Sequence, residues 1–251
     1  MKVLFVAGEV APFSKSTQTA RLARELPEHL QELGDFETRI IMPRYGTVSE
    51  RRNRLHEVIR LSGSEIETGD RTETLKVKVA SIPGIRLQVY FMDNVHFFKR
   101  KGLFQDRKTE KLFEDNAERA LYFARAALTT VENLGWSPDI VHATGWITGA
   151  VPLLLKNEFA DHELFERTKS VYTPDAADVD VRFTADEAEA FGLPADAADQ
   201  ELRDLGMAYA DAVAFGAGRP GEGGTDLTGE PKEIAEKAAA LYREIGDEVA
   251  A

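Results

Sequence analysis

The sequence predicts an α/β fold in which a mainly parallel sheet lies between two layers of helices. Short apolar segments rich in β-branched residues alternate along the chain with segments whose apolar residues recur every three or four positions. Between residues 56 and 92 the apolar residues instead recur at every second position, which is typical of antiparallel strands. The 251 residues, 43% of them hydrophobic, are enough for one large domain of this three-layer kind.

The first strand, helix and second strand start the parallel pattern. Residues 2–7 (KVLFVA) form a nearly continuous apolar run, as expected for a strand that is covered on both faces. Gly34 stands where the following helix is expected to end, and a second strand is predicted over residues 36–42. The helix is predicted from four leucines at helical spacing: Leu22, Leu26, Leu30 and Leu33.

An antiparallel insertion and a long helix follow. Residues 75–79 and 87–91 carry apolar side chains at alternate positions, and Pro83-Gly84 lies between them as a turn. Small and apolar residues then recur from Phe113 to Val131 and predict a helix that ends before Gly135. The alternation then resumes, with strands predicted over 140–143, 170–173 and 212–215 and a helix over 151–156.

The pattern indicates one main domain, a linker and a terminal helix. Residues 1–215 are expected to form the main domain, and the glycine-rich residues 216–229 a flexible linker. Residues 230–251 are predicted to form an amphipathic helix that packs back on the same domain, because its apolar stripe needs a partner. The stripe consists of Ile234, Ala238, Leu241, Ile245 and Val249.

Charge and composition exclude several classes of function. The 31 Lys and Arg residues against 43 Asp and Glu give a net charge of −12, which disfavours nucleic acid as a partner. The sequence has no cysteine, which excludes disulfides, thiolate metal sites and thiol catalysis. We identify no signal peptide and no apolar run long enough to span a membrane, so a cytoplasmic location is expected.

Three loops that leave the carboxyl ends of predicted parallel strands are the candidate ligand-binding segments. The first, residues 8–19, carries Glu9 and Lys15, although a lone exposed lysine is usually a solubility residue. The second carries His142, a candidate base or sugar ligand, and Trp146, a candidate sugar contact; alternatively, both are packed core residues. The third, residues 174–181, holds alternating aspartates that lack the glycine and distal glutamate of a calcium loop, so a solvated loop is the simpler interpretation and no metal is expected.

Five ordered segments resemble those of bacterial glycogen and starch synthases, glycosyltransferase family 5. They are MKVLFVAGEVAPFSK at the start, MPRYG at 42–46, FEDNAERA at 113–120, PDIVHATGW at 138–146 and YADAV at 209–213. The resemblance covers about residues 1–215, the starch-synthase catalytic domain. It implies a Rossmann-like fold, the N-terminal half of a type B glycosyltransferase, which transfers glucose from ADP-glucose to an α-1,4-glucan without a metal or other cofactor.

The same segments depart from the family's pattern. The family's first loop reads Lys-x-Gly-Gly, whereas residues 15–18 read KSTQ and lack both glycines. The family's His-Ala-His-Asp-Trp-His reads HATGWI at 142–147, so Thr144 stands at the position of the catalytic histidine. The family's later Ile-His-Asn reads Pro-Asp-Ala at 174–176. The family's second domain, which supplies most of the nucleotide pocket, is expected to be absent.

Two hypotheses about function follow from the resemblance. In the first, the domain is a pseudoenzyme that is inactive alone and binds a glucan or a protein of glycogen metabolism. In the alternative, it is one half of a split glycosyltransferase that a separate polypeptide completes, with Lys15 and His142 as surviving site residues. Homo-oligomers and hetero-oligomers remain open, and no catalytic residue is assigned.

Overall fold

A mainly parallel sheet of nine strands runs through the centre of the computed structural model, which describes residues 1–14, 17–176, 179–216 and 221–247. A separate pair of strands forms a small antiparallel sheet. The strands are β1 (Lys2–Ala7), β2 (Glu37–Pro43), β3 (His56–Glu57), β4 (Glu65–Thr68), β5 (Arg71–Thr74), β6 (Lys76–Ser81), β7 (Gln88–Asp93), β8 (Ile140–Thr144), β9 (Lys169–Thr173), β10 (Ala212–Gly216) and β11 (Thr225–Leu227).

The strand order of the large sheet is β11-β10-β9-β8-β1-β2-β7-β6-β3. All pairs from β11 to β7 are parallel, whereas β6 and β3 pair antiparallel at the edge. The predicted fold class is therefore confirmed, including the antiparallel insertion. The chain proceeds from β1 to one side through β2 and later returns to the other side through β8, so the topological switch point lies between β1 and β8.

The helices follow the strands as the sequence predicts, with short additional helices in the loops. They are α1 (Gln18–Glu32), α2 (Glu50–Asn53), α3 (Val95–Phe98), α4 (Asn116–Leu134), α5 (Ala150–Lys156), α6 (Ala185–Ala190), α7 (Leu202–Tyr209) and α8 (Pro231–Asp247). The Thr17 hydroxyl caps α1 by accepting from the Ala20 N–H at 3.0 Å. Gly135 ends α4 in the left-handed conformation that glycine adopts easily. No described helix is long and apolar enough to cross a membrane.

The helices form two layers. Helix α1 packs against α8, while α4 packs against α5 and α5 against α7. The connection from β1 through α1 to β2 and the connection from β8 through α5 to β9 run in opposite directions from the centre of the sheet. Because such connections are right-handed, the two groups of helices lie on opposite faces. The core between them is apolar and closely packed, with Leu4, Val6 and Val141 fully buried.

The segment predicted as a linker contains a strand. Residues 225–227 form β11, which pairs in parallel with β10, so β10 is not the last strand of the sheet. Three residues with a single buried side chain, Leu227, leave no periodic pattern that predicts a strand. Residues 217–220 lie outside the described chain, as does Val249 of the predicted apolar stripe.

Helix α8 packs on the domain through one face. It begins at Pro231 and ends at Asp247, close to the predicted bounds, and it contacts α1 and β11. Ile234 of the predicted stripe is half-buried. The buried face consists of Ala235, Ala238, Ala239, Leu241, Tyr242 and Ile245.

Candidate functional site

The three candidate loops meet at the switch point of the sheet. Val6 pairs with Ala143 and Ala7 with Thr144, so the chain leaves β1 and β8 at the same level. The Gly8 N–H donates to the Thr144 carbonyl at 2.9 Å, and the Gly145 N–H donates to the Thr173 carbonyl at 3.0 Å. Backbone hydrogen bonds therefore hold the ends of β1, β8 and β9 together beneath the loops.

A groove of about 770 Å³ lies above this junction. This volume suits a small-molecule or sugar ligand. The lining mixes aromatic, hydroxyl, amide, carboxylate and cationic side chains, a mixture that fits the apolar faces and hydroxyl rims of a sugar. It comprises Glu9, Pro12, Phe13, Ser14, Thr17, Gln18, Thr19, Thr47, Ser49, Arg52, Asn53, Lys101, Gly102, Leu103, Phe104, Gln105, Arg107, Asp175 and Ala176.

Trp146 lies beneath the groove. Its side chain is 5% exposed, and its ring meets Phe104 edge to face, with 6.2 Å between ring centroids. The backbone N–H of Trp146 donates to Asp175 Oδ2 at 3.3 Å. Gly145, with a φ of 91°, brings the chain close to that carboxylate, since a Cβ there would lie 3.1 Å from Oδ2. Trp146 therefore supports Phe104 from below and lines a smaller hollow that adjoins the groove.

Glu9 lies among the described residues, whereas Lys15 does not. Glu9 is half-buried, lines the groove and accepts a hydrogen bond from the Thr17 hydroxyl at 3.4 Å. This position is compatible with its predicted role as a substrate contact. Lys15 and Ser16 lie outside the described residues, so the predicted role of Lys15 stays a prediction.

His142 is a core residue. Its side chain is fully buried, with Nδ1 2.6 Å from the Tyr242 hydroxyl and Nε2 2.8 Å from the Thr173 hydroxyl. Burial lowers the pKa of His142 to about 3, so the ring is neutral near pH 7. Because it does not line the groove, its position supports the packed, hydrogen-bonded interpretation and gives no support to a role as base or sugar ligand.

Thr144 ends β8 directly beneath the loops. Its side chain is 1% exposed, and its hydroxyl oxygen has no hydrogen-bond partner among the described residues. The family resemblance places a catalytic histidine at this position. A threonine hydroxyl has no pKa near neutrality, so it cannot replace an imidazole in proton transfer.

The FEDNAERA segment fixes one wall of the groove, a role that sequence reasoning missed. Arg119 is fully buried; its Nε donates to the Phe97 carbonyl at 2.9 Å and its Nη1 to Asn116 Oδ1 at 2.6 Å. Asn116 Nδ2 in turn donates to the Phe104 carbonyl at 2.8 Å. Burial lowers the pKa of Arg119 to about 10, which leaves it charged at pH 7. The FEDNAERA motif was the signal from which this role could have been found, but the sequence does not show that the motif binds the loop around Phe104.

Arg44 of the MPRYG segment belongs to an ion-pair network next to another part of the groove lining. Lys78 Nζ lies 2.7 Å from Asp93 Oδ2 and 2.8 Å from Glu50 Oε1, and Arg44 pairs with the same two carboxylates. Hydrogen bonds from Lys78 and Arg44 lower the pKa of Glu50. The network holds Glu50 at the start of α2, from which Arg52 faces the groove.

The described residues contain no group of three or more His, Asp or Glu side chains placed to hold a metal ion. Asp175 of the third loop contacts the Trp146 backbone, as described above, and Asp180 accepts from Arg182 Nε at 2.7 Å. Asp178 lies outside the described residues.

A doubly wound sheet with a polar groove at its switch point defines a Rossmann-like ligand-binding domain. Comparison with known proteins makes the assignment specific. The family described as "Starch synthase catalytic domain" matches residues 2–216. The chain belongs to this family, which confirms the resemblance drawn from the five segments.

Glycogen synthases are among its relatives. The chain is 43% identical to that of Chlorobium luteolum over 172 residues, 68% of this chain and 35% of the relative. It is 38% identical to that of Chlorobaculum parvum over 219 residues, 84% of this chain and 45% of the relative. The chain thus spans less than half the length of these relatives.

A solved structure shares the fold. The catalytic domain of starch synthase IV from Arabidopsis thaliana, bound to ADP and acarbose, matches with a TM-score of 0.66 and 21% identity. The match covers 84% of this chain and 44% of that one. At this level of identity the match supports the architecture alone.

Proposed function

We propose that this starch-synthase-type domain binds an α-glucan in the groove above β1, β8 and β9 and does not by itself transfer glucose. One observation carries the proposal: the groove keeps a sugar-compatible lining, while a buried threonine, Thr144, stands where the family resemblance implies a catalytic histidine. We further expect the protein to act in the cytoplasm as a pseudoenzyme.

Binding is supported by the chemistry of the groove. Phe104 offers an aromatic surface on which a pyranose ring can pack, and the Trp146 ring keeps it in place from below. Glu9, Gln18 and Asn53 offer acceptors and donors for sugar hydroxyls along the same groove. The curated relatives are named glycogen synthases, and glycogen is an α-glucan.

Weak or absent turnover is supported by what surrounds the reacting position. Loss of a single well-placed electrostatic group costs an enzyme about 10²- to 10³-fold in rate. Here Thr144 stands where the family resemblance implies a histidine, and Thr17 and Gln18 stand where it implies two glycines. His142, the nearest histidine in sequence, is neutral and engaged by two hydroxyls, so it does not substitute for them.

Binding is tested by calorimetry with maltoheptaose and by retardation in glycogen-containing native gels. Phe104→Ala should weaken binding about tenfold, because it removes the packing surface. Phe191→Ala, which truncates a half-buried phenylalanine remote from the groove, is the matched control and should bind as the parent does. Equal affinity of both variants, or no binding by the parent, would contradict the proposal.

Turnover is tested by incorporation of radiolabelled glucose from ADP-glucose into glycogen. We expect no incorporation by the 251-residue chain. Incorporation that exceeds the incorporation measured with a Glu9→Gln variant would show that the chain is an active synthase. Incorporation that arises only after addition of the C-terminal half of the Chlorobium luteolum glycogen synthase would favour the alternative, half of a split glycosyltransferase.

A further inference from the structure

A pocket of about 220 Å³ lies between α1 and the start of α8, and we call it the α1–α8 pocket. Its lining includes the carboxyl ends of β9, β10 and β11, and it has only Gln18 and Thr19 in common with the lining of the groove. The α1–α8 pocket is therefore a separate candidate site. Its apolar lining residues are Leu22, Leu26, Pro174, Leu227, Pro231 and Ile234.

One wall of the α1–α8 pocket comes from outside the family match. The match ends at residue 216, whereas Leu227, Pro231 and Ile234 follow it in the chain. These residues are held in place because β11 pairs with β10 and α8 packs on α1. A ligand of this pocket is therefore not implied by membership of the family.

The interior of the pocket suits an apolar group of about the size of one ring. Leu26 and Leu227 are each 1% exposed, and the Thr173 hydroxyl, which also lines the pocket, is already engaged by His142 at 2.8 Å. Water is a poor occupant of such a lining, because a buried water molecule needs about two to four polar partners. An apolar cavity of about 150 Å³ already accommodates benzene, so this pocket is large enough for the side chain of phenylalanine or leucine.

Two charges of opposite sign also line the pocket. Arg21 and Glu25 lie one turn apart on α1. Arg21 is exposed and Glu25 is half-buried, and neither side chain has a hydrogen-bond or ion-pair partner among the described residues. Side chains at this spacing start about 5–6 Å apart at Cβ. A molecule that carries a carboxylate and an ammonium group on one carbon atom can therefore reach both.

We propose that the α1–α8 pocket binds a free α-amino acid with a large apolar side chain, such as phenylalanine or leucine. The apolar side chain packs against Leu26 and Leu227. The carboxylate pairs with Arg21, whose planar fork matches two carboxylate oxygens, and the ammonium group pairs with Glu25. The ligand contacts both α1 and the start of α8, so it stabilises the packing of α8 on the domain. This site goes beyond the proposed glucan function and does not depend on it.

The test is calorimetry on the full chain with L-phenylalanine and two analogues that keep its ring. Phenethylamine lacks the carboxylate, and 3-phenylpropanoate lacks the ammonium group. The variants are Arg21→Gln and Glu25→Gln. Arg60→Gln is the control for the first, since Arg60 is also exposed but lies outside the pocket; Glu28→Gln is the control for the second, since Glu28 is also half-buried on α1 but does not line the pocket. Thermal melting checks that all four variants fold.

We expect L-phenylalanine to bind more tightly than either analogue and to raise the melting temperature of the protein. Arg21→Gln should weaken the binding of L-phenylalanine and 3-phenylpropanoate about tenfold, the loss expected for one charge-assisted hydrogen bond, and leave phenethylamine unaffected. Glu25→Gln should weaken L-phenylalanine and phenethylamine instead. Both control variants should bind all three probes as the parent does.

Two results would overturn the inference. Equal affinity for the three probes in every variant would show that the pocket takes apolar rings without recognising an amino acid. No binding of any probe would show that the pocket takes no ligand of this kind. Neither result bears on the binding of maltoheptaose, which the Phe104→Ala variant tests at the groove.

Discussion

The Tyr242 hydroxyl on α8 lies 2.6 Å from Nδ1 of His142 on β8, a buried contact between residues 100 positions apart. The Thr173 hydroxyl engages the other ring nitrogen at 2.8 Å. A neutral imidazole offers one donor and one acceptor, which the two hydroxyls can complement. The contact ties the last helix to the strand that leads to Thr144, beneath the groove.

Tyr242→Phe should destabilise the protein while keeping its fold. The substitution removes only the hydroxyl and leaves Nδ1 of a fully buried histidine without a partner, which costs about 1–3 kcal/mol. Urea denaturation measures the loss. Arg243→Gln, on the next position of α8, breaks an exposed ion pair with Asp35 and should cost less than about 1 kcal/mol. Equal losses in the two variants would contradict the buried contact.

The stability of the protein should fall as the pH is lowered from about 6.5 towards 3. The pKa of His142 is about 3 in the folded state, against about 6.5 for an unfolded chain. Between these values the unfolded chain binds a proton that the folded protein excludes. The stabilisation is therefore complete above about pH 6.5 and declines by up to about 1.4 kcal/mol for each pH unit below it.

His142→Gln isolates this contribution. The variant has a lower stability at pH 7, but its free energy of unfolding should vary less than that of the parent between pH 6.5 and about 4.5. Below that range, Glu50 and Asp115 add losses of their own in both proteins, because their lowered pKa values favour the folded state only while they are ionised. Parallel pH profiles in the upper window would show that His142 is not the responsible group.

Asn116→Ala should change the environment of Trp146, although the effect is transmitted through Phe104. Asn116 donates a hydrogen bond to the Phe104 carbonyl, and the Phe104 ring packs on Trp146. Without the Asn116 side chain, the Phe104 loop loses this hydrogen bond and becomes more mobile. We expect a destabilisation of about 1–3 kcal/mol and altered Trp146 fluorescence, recorded in a Trp136→Phe background. Thr130→Val removes a buried hydrogen bond elsewhere on α4 and should leave that fluorescence unchanged.

The sequence was sufficient for most of the fold because apolar periodicity is a local signal. It predicted β1, α1, the antiparallel insertion and α4 close to their observed positions. It missed β11, whose three residues are held by pairing with β10 rather than by a pattern of their own. Strand pairing of this kind depends on the tertiary neighbour and is not encoded in a short segment.

The candidate site was predictable in place but not in detail. The rule for ligands at the carboxyl ends of parallel strands located the loops around Glu9, Trp146 and Asp175. The engagement of His142 by Tyr242 was not predictable, because it depends on how α8 docks. The wall formed through Asn116 and Phe104 likewise depends on a contact that leaves no periodic trace in the sequence.

A chain that ends at residue 228 should lose solubility or associate, because α8 covers an apolar surface of α1 and β11. Burial of Leu241, Tyr242 and Ile245 contributes about 1.5–3 kcal/mol each before ordering costs, which together is comparable with the net stability of a domain. The deletion also removes Tyr242, one of the two hydrogen-bond partners of His142. Analytical ultracentrifugation and thermal melting measure the outcome, and a chain that ends at residue 247 is the control, since it keeps all of α8. A monomeric shorter chain with an unchanged melting temperature would contradict the prediction and show that α8 contributes no stability to this domain.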